Sequence, residues 1–155
     1  IKWPNDLVLN KKKICGILTE MSAEVDYINY VVIGIGINAN TESFPEELSE
    51  TATSLHLESG ESVCRARLIA GVMERFEQCY EEFVRAGDLS PFAAGYNDIL
   101  VNCGREVRIL EPGRERNGIS AGIDNGGRLL VEYEDGTTEA VFAGEVSVRG
   151  IYNYV

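Results

Sequence analysis

The chain has 155 residues and a formal net charge of −11, with 45% hydrophobic and 25% charged residues. This length allows one ordinary domain or two small ones with a real hydrophobic core. The acidic balance disfavours general nucleic-acid binding, because the phosphate backbone is also negative. No run of about 18 apolar residues is present, so we expect no membrane span. The four scattered cysteines predict no zinc site and favour reduced thiols in the cytoplasm.

Two strands joined by a polar, lysine-rich turn are predicted at the start of the chain, over residues 6–9 and 14–22. A longer run of β-branched and aromatic residues, 26–38, predicts a central strand that is buried on both faces. Gly34 and Gly36 stand two apart in this run and therefore face the same side. Paired glycines on one face are typical of a close approach by backbone or ligand.

Residues 39–61 lack a sustained pattern, so we predict a loop with a short helical turn, of the kind that often covers a ligand. A long amphipathic helix follows, with Ser62 as its predicted cap and Gly87 as its end. We expect the aromatic stripe of this helix to pack in the core against the sheet. The stripe consists of Phe76, Tyr80 and Phe83.

A shorter helix is predicted from Ser90 and Pro91 to near Leu100, and short strands follow it. Asp-Gly and Gly-Gly turns separate these strands, and Asp-Gly between strands is typical of hairpins. Closely spaced short strands favour a small antiparallel barrel. We therefore predict one domain at 1–100 and a second at 101–155. The predicted strands of the second domain are 106–110, 117–123, 128–134, 138–141 and 146–151.

Polar residues near the ends of the first strands suit a phosphate-bearing ligand. Lys13 supplies a mobile positive charge, and the backbone around Gly34 and Gly36 is unobstructed by side chains. Asn5 and Asn38 can each donate and accept hydrogen bonds, so either suits a metal-bound phosphate or a base edge.

The same residue types also have a purely structural interpretation. Ionised Asp6 can receive a proton from an incoming amine, but an aspartate at a strand start is more often a turn residue. Lys13 stands beside two other lysines, and such a group is more often a solvated turn. The residue types therefore permit phosphate chemistry without establishing it.

Five sequence blocks resemble those of biotin protein ligases, and they occur in the family's order over nearly the whole chain. The blocks are KWPNDL at 2–7, KICGILTE at 13–20, VIGIGIN at 32–38, GISAGID at 118–124 and GEVSVR at 144–149. The resemblance implies an α+β fold. It consists of part of a class II synthetase-like biotin ligase domain, with a mixed sheet and helices, followed by a small SH3-like β-barrel.

The resemblance implies an enzyme that makes biotinyl-5′-AMP from biotin and ATP with Mg²⁺, and then transfers biotin to a lysine of a biotin carboxyl carrier protein. Lys13 matches the family lysine at the activated carboxyl and α-phosphate. Asp6 matches the carboxylate proposed to take the proton of the acceptor lysine. Asn5 and Asn38 match positions near the adenylate and its metal. Gly16, Gly34 and Gly36 match places where the backbone packs close to biotin. Glu145 and Arg149 match a C-terminal pair that reaches toward the nucleotide in two-domain members of the family.

The family's Gly/Arg-rich loop for biotin and phosphate precedes the KWPND block, and the chain has no counterpart of it. We therefore expect a C-terminal part of the catalytic domain plus the small domain, slow or inactive by itself. Two alternatives remain open. One is a non-catalytic module that binds a carrier domain or forms a homodimer through an unpaired sheet edge. The other is lipoate ligation on the same fold.

Overall fold

The computed structural model describes residues 1–111, 113–143 and 147–150, with side chains described as far as residue 143. The predicted α+β fold class is confirmed, and the paired strands of the described residues are antiparallel. The chain divides into two compact units, Asn5–Val63 and a second that joins Ile1–Pro4 to the chain from Cys64 onward. None of the described helices is both long and apolar enough to span a membrane.

The elements follow the predicted order. They are β1 Asp6–Leu9, β2 Lys12–Ala23, β3 Ile28–Ile37, α1 Glu46–Ser49, α2 Leu55–Ser59, α3 Arg65–Ala86, α4 Ser90–Asp98, β4 Glu106–Glu111, β5 Arg114–Ile123, β6 Leu129–Glu132, β7 Thr138–Val141 and β8 Ser147–Gly150.

The unit Asn5–Val63 contains an antiparallel sheet in the order β1-β2-β3. Strands β1 and β2 form the predicted hairpin. Its two turn residues, Asn10 and Lys11, have φ values of 49° and 68°. Positive φ at both central residues is the requirement of the tight turn that matches the twist of a hairpin. Asn10 is a common residue at such a position and Lys11 is not; the turn sets the start of β2, where Lys13 lies.

Strand β3 lies at the edge of this sheet, so the prediction of a central strand buried on both faces is wrong. Tyr30 is 61% exposed and Val32 is 51% exposed. The physical reason is that no described strand pairs with the second edge of β3, and its apolar side chains remain open to solvent. The apolar composition of β3 shows that the strand can be buried, and within the unit Asn5–Val63 its side chains are left exposed.

Two short helices, α1 and α2, replace the single helical turn predicted within residues 39–61. Ser54 caps α2, because its Oγ accepts a hydrogen bond from the backbone N–H of Leu57 at 3.1 Å. Gly60 ends α2 in the left-handed conformation, with a φ of 76°.

Helix α3 begins two residues later than predicted, because Cys64 and not Ser62 precedes its first residue. Its predicted end at Gly87 is confirmed, with a φ of 80°. The prediction that the aromatic stripe packs in the core against the sheet is wrong for the described residues. Tyr80 is 56% exposed, and no residue of α3 is buried. Instead Phe76 stacks on Tyr80 with ring centroids 5.9 Å apart.

The second unit contains a five-stranded antiparallel sheet in the order β7-β6-β5-β4-β8, which confirms the strands predicted for the last third of the chain. Its core is formed by fully buried side chains of β4 and β6, with Trp3 beside them at 3% exposure. The Nε1 of Trp3 donates to the carbonyl of Gly127 at 3.0 Å. No pairing joins β7 to β8 within the described residues, so barrel closure and the domain boundary near residue 100 stay predictions.

One side chain ties helix α4 to strand β5. Asn97 accepts a hydrogen bond from the backbone N–H of Ile123 at 2.7 Å and donates to its carbonyl at 3.3 Å. Gly122, with a φ of 102°, allows this approach, because a Cβ there would lie 2.8 Å from the Asn97 carboxamide. The amide therefore satisfies both backbone groups of the buried Ile123.

Replacing Asn97 with alanine is expected to lower the free energy of unfolding by about 1–2 kcal/mol, because it leaves buried backbone groups without partners. Urea denaturation measures the change. The exposed Asn117 of β5 supplies the control, and its alanine variant should change stability by less than about 0.5 kcal/mol. Equal stability of the two variants would contradict the structural role of Asn97.

Candidate functional site

A β-bulge places Lys13 beside Asp6. Asp6 pairs with Gly16, but Val8 pairs with Lys13, so β2 carries one more residue than β1 over this stretch. In a regular strand, positions 13 and 16 face opposite sides, because side chains alternate with a period of two. The extra residue brings them to one face, as bulges beside functional sites often do.

The product of this bulge is an ion pair between β1 and β2. Lys13 Nζ lies 2.6 Å from Asp6 Oδ1, and the two side chains are 39% and 15% exposed. The ammonium is therefore oriented by a carboxylate while it remains open to a ligand. Such a partly exposed pair contributes little to the stability of the fold.

Three glycines, Gly16, Gly34 and Gly36, form a surface of bare backbone beside the ion pair, which we call the glycine floor. Gly16 lies between Asp6 on β1 and Gly36 on β3, and Gly34 lies two residues before Gly36 on the same face. A Cβ at Gly36 would lie 3.7 Å from the carbonyl oxygen of Gly16, and one at Gly34 would lie 3.7 Å from that of Leu18. These are ordinary contacts, so the protein's own packing does not require glycine at either position. The spacing therefore suits a ligand that lies directly on the backbone.

The segment around Ala52 holds the backbone of Lys13. Lys13 donates its N–H to the carbonyl of Thr51 at 2.8 Å, and its carbonyl accepts from the N–H of Thr53 at 2.9 Å. These bonds form a parallel bridge between Lys13 and Ala52. The backbone of the lysine is thus fixed, and its ammonium moves only through side-chain torsions. The sequence prediction missed this segment, whose only signal is the extended alternation Thr-Ala-Thr.

The two predicted asparagines both contribute to local structure. Asn38 donates from Nδ2 to the carbonyl of Thr53 at 3.1 Å, so the backbone of Thr53 contacts Asn38 through its carbonyl and Lys13 through its N–H. Asn5 donates from Nδ2 to the carbonyl of Ile17 at 2.7 Å, and its own carbonyl accepts from the N–H of Ile17. Their contact with a nucleotide stays a prediction.

Of the two C-terminal residues predicted to reach the nucleotide, only Arg149 lies within the described residues. Arg149 belongs to β8, opposite Arg108 on β4, and only its backbone is described. Glu145 lies outside the described residues. The structure therefore gathers Asp6, Lys13 and the three glycines, and the role of the C-terminal pair stays a prediction.

A hydrogen-bond network attaches α2 to the β1–β2 turn. Thr53, which is 3% exposed, donates its hydroxyl to Glu58 Oε1 at 2.5 Å. The Asn10 amide donates to the other carboxylate oxygen. The Thr53 hydroxyl first, and the Asn10 amide second, hold the pKa of Glu58 below its ordinary value.

Replacing Thr53 with valine is expected to raise the pKa of Glu58 towards its ordinary value, because the main hydrogen bond to the ionised carboxylate is lost. A depressed pKa means that the stabilisation exists at neutral pH and is lost as the pH falls through the folded-state pKa. Carbon-detected NMR titration of the glutamate side chains measures the shift. Thr51→Val is the matched control and should leave the Glu58 midpoint in place; an unchanged midpoint in Thr53→Val would contradict the network.

The geometry fits the binding of an anion beside a bare backbone surface. The Lys13 ammonium suits the charge of a phosphoryl or carboxylate oxygen, and the Asp6 carboxylate suits acceptance of a proton. No group of three or more His, Cys, Asp or Glu side chains within the described stretches is placed to hold a metal ion. The Lys13–Asp6 pair beside the bare backbone therefore favours chemistry on a phosphoryl or carboxylate group.

Two family models match the chain at its two ends. The model of the biotin/lipoate A/B protein ligase family matches residues 1–38, which include β1 to β3 and the whole glycine floor. The model of the biotin protein ligase C-terminal domain matches residues 103–149, which include the five-stranded sheet.

Relatives and solved structures agree with these matches. The bifunctional ligase/repressor BirA of Bacillus spizizenii is 41% identical over 138 residues, which are 88% of this chain and 42% of that protein. The biotin–[acetyl-CoA-carboxylase] ligase of Mycobacterium tuberculosis is 33% identical over 148 residues, 94% of this chain and 52% of that protein. The Aquifex aeolicus biotin protein ligase in complex with biotin and ATP superposes with a TM-score of 0.81 and 28% identity, covering 97% of this chain and 61% of that one.

The chain spans about half the length of the relatives that it matches. Within that span, the matches include both the strands that carry the Lys13–Asp6 pair and the C-terminal sheet. The family predicted from the five sequence blocks is thereby confirmed, and the chain belongs to the biotin protein ligase family.

Proposed function

We propose that the full-length protein joins biotin to a lysine of a carrier protein through biotinyl-5′-AMP. The observation that carries the proposal is the Lys13 ammonium, held 2.6 Å from Asp6 beside the glycine floor. A solved family member binds biotin and ATP, and relatives are named as acetyl-CoA-carboxylase ligases. Because the chain spans about half of those relatives, the activity is assigned to the full-length protein.

In the first half-reaction a carboxylate oxygen of biotin attacks the α-phosphorus of ATP, and pyrophosphate leaves. Negative charge accumulates on the phosphoryl oxygens between the two substrates. Lys13 is the group that would stabilise this charge, because its ammonium is preorganised by Asp6 and its backbone is fixed by the segment around Ala52. The glycines at 34 and 36 would let the ligand approach the backbone of β3.

In the second half-reaction the amine of a carrier lysine attacks the acyl carbon, an amide bond forms, and AMP leaves. The attacking nitrogen must lose a proton. Asp6 would accept this proton, and Lys13 would stabilise the departing phosphate. One ion pair thus serves both steps: the Lys13 ammonium stabilises charge on the phosphate, and the Asp6 carboxylate takes the proton of the amine.

Mg²⁺ would enter as the MgATP complex. The described residues contain no group of three or more acidic, His or Cys side chains that would hold the ion by themselves. Magnesium commonly binds through substrate phosphates with few protein ligands, so the donor set fits a metal carried by ATP.

The C-terminal match supports biotin over lipoate as the substrate. The model that matches residues 1–38 is shared by biotin and lipoate ligases, whereas the model that matches 103–149 bears the name of biotin protein ligase. The acceptor that we infer is a biotin carboxyl carrier protein in the cytoplasm. A homodimer stays a prediction, supported by the exposed edge of β3 and its apolar side chains.

The test is transfer of labelled biotin by the full-length protein, with ATP and Mg²⁺, to a purified biotin carboxyl carrier domain. We expect a mass increase of one biotinyl group on the carrier. A carrier whose acceptor lysine is arginine is the control and should stay unlabelled, and excess lipoate should not compete. Absence of transfer under these conditions would contradict the proposed function.

A further inference from the structure

We propose that Gly16 is a positioning residue for Lys13: the missing side chain at position 16 provides the space in which the ammonium lies against Asp6. The proposal rests on the proposed function, because it concerns the lysine assigned to the adenylate. It gives Gly16 a different task from the close approach to biotin that the resemblance implies.

The evidence is the space around Gly16. A Cβ built on this residue would lie 2.9 Å from Lys13 Nζ, 3.0 Å from Lys13 Cε and 3.4 Å from Asp6 Oδ1. The first of these distances is shorter than real Cβ contacts. The backbone of Gly16 does not have a positive φ, so its conformation alone does not demand glycine. Among the contacts within the described residues, the space taken by the Lys13 side chain is what a Cβ at this position would invade.

The other two glycines of the floor behave differently. Cβ atoms at Gly34 and Gly36 would each meet a single backbone carbonyl at 3.7 Å, and no side chain. Gly36 pairs directly with Gly16 across β2 and β3, so the two positions share the same face. Gly36 is therefore a control within the site: it is open to the same ligand and does not contact Lys13.

A methyl group at position 16 would displace the ammonium and leave the fold intact. The atoms that it meets form the flexible end of a side chain, which can move at low cost. The Lys13 backbone is held by Thr51 and Thr53, so the movement is confined to side-chain torsions. The ammonium would leave Asp6, and adenylate formation would fall at least tenfold, because a displaced charge no longer stabilises the transition state.

The test uses the Nζ and Cε NMR signals of the lysines in isotope-labelled protein, with Lys13 assigned by its arginine variant. Contact with a carboxylate shifts the Lys13 signal away from those of the other lysines. Asp6→Asn removes that shift, and we expect Gly16→Ala to remove it to a similar extent. Gly36→Ala should leave the signal unchanged.

A double variant tests the proposal in the case where Gly16→Ala destabilises the protein. If Gly16→Ala lowers the melting temperature, Lys13→Ala in the same chain should restore it, because the clashing atoms are then absent. The proposal is overturned if Gly16→Ala leaves the Lys13 signal at its wild-type position, or if shortening Lys13 does not rescue a destabilised Gly16→Ala. Neither measurement needs biotin or ATP, so failure of this proposal is distinguishable from failure of the proposed ligase activity.

Discussion

Replacing Lys13 with alanine in the full-length protein is expected to slow the formation of biotinyl-5′-AMP by about 10²–10³-fold, the usual effect of removing one preorganised donor from developing charge. The structure supplies the reason. The ammonium is oriented by Asp6 at 2.6 Å, and the peptide bonds that flank Lys13 are tied to Thr51 and Thr53. Little reorganisation is needed when the phosphoryl charge develops beside it.

Pyrophosphate release measures the first half-reaction, and transfer from purified biotinyl-5′-AMP measures the second. Lys12→Ala is the matched control, since Lys12 donates to the carbonyl of Ser49 and does not contact Asp6. We expect Lys12→Ala to retain activity within a few-fold. Normal rates of both half-reactions in Lys13→Ala would remove the basis of the proposed function.

The strands and turns were predictable from sequence because their determinants are local. Gly136 in the turn between β6 and β7 and Asn10 in the turn between β1 and β2 have positive φ and are of residue types that tolerate it, whereas Lys11 adopts positive φ without being such a type. Alternation of apolar residues then sets the flanking strands. Boundaries moved by a few residues where pairing continued past the apolar run, as at the start of β5.

Burial was less predictable than secondary structure, because it depends on what packs against an element. The apolar residues of β3 and the stripe of α3 have the pattern of buried surfaces, yet they are exposed within the described residues. Conversely, Trp3 belongs to a core whose other members lie about a hundred residues later in the chain. No local sequence pattern indicates a packing partner so far along the chain.

The candidate site was predictable in its residue types and not in its geometry. Lys13 and Asp6 are recognisable as a cation and a carboxylate near strand ends, but only the bulge in β2 brings them together. The extra residue has no distinctive residue type, so the spacing between Lys13 and Gly16 gives no sign of a shared face. Thr53 was missed for a similar reason, since its contribution to the site is made by its backbone.

Replacing Gly118 with alanine is expected to lower the free energy of unfolding by about 3 kcal/mol, at the upper end of the usual cost of overpacking a core. Gly118 is a buried residue of β5, paired with Val107. A Cβ there would lie 2.6 Å from Val131 Cγ1 and 2.7 Å from the carbonyl oxygen of Glu132. Unlike the lysine beside Gly16, these are a packed core side chain and a backbone atom, so neither can move away at low cost.

Urea denaturation followed by circular dichroism measures this effect, and Gly95→Ala is the matched control in the same unit. Gly95 lies in α4, and a Cβ there would meet no atom within 4 Å. Alanine is also the better helix former, so this variant should be neutral or more stable by up to about 1 kcal/mol. If the two glycine-to-alanine changes alter the free energy of unfolding in opposite directions, β5 requires glycine at position 118 for space. Equal stability of Gly118→Ala and the unsubstituted protein would mean that β6 is not packed against Gly118 in solution.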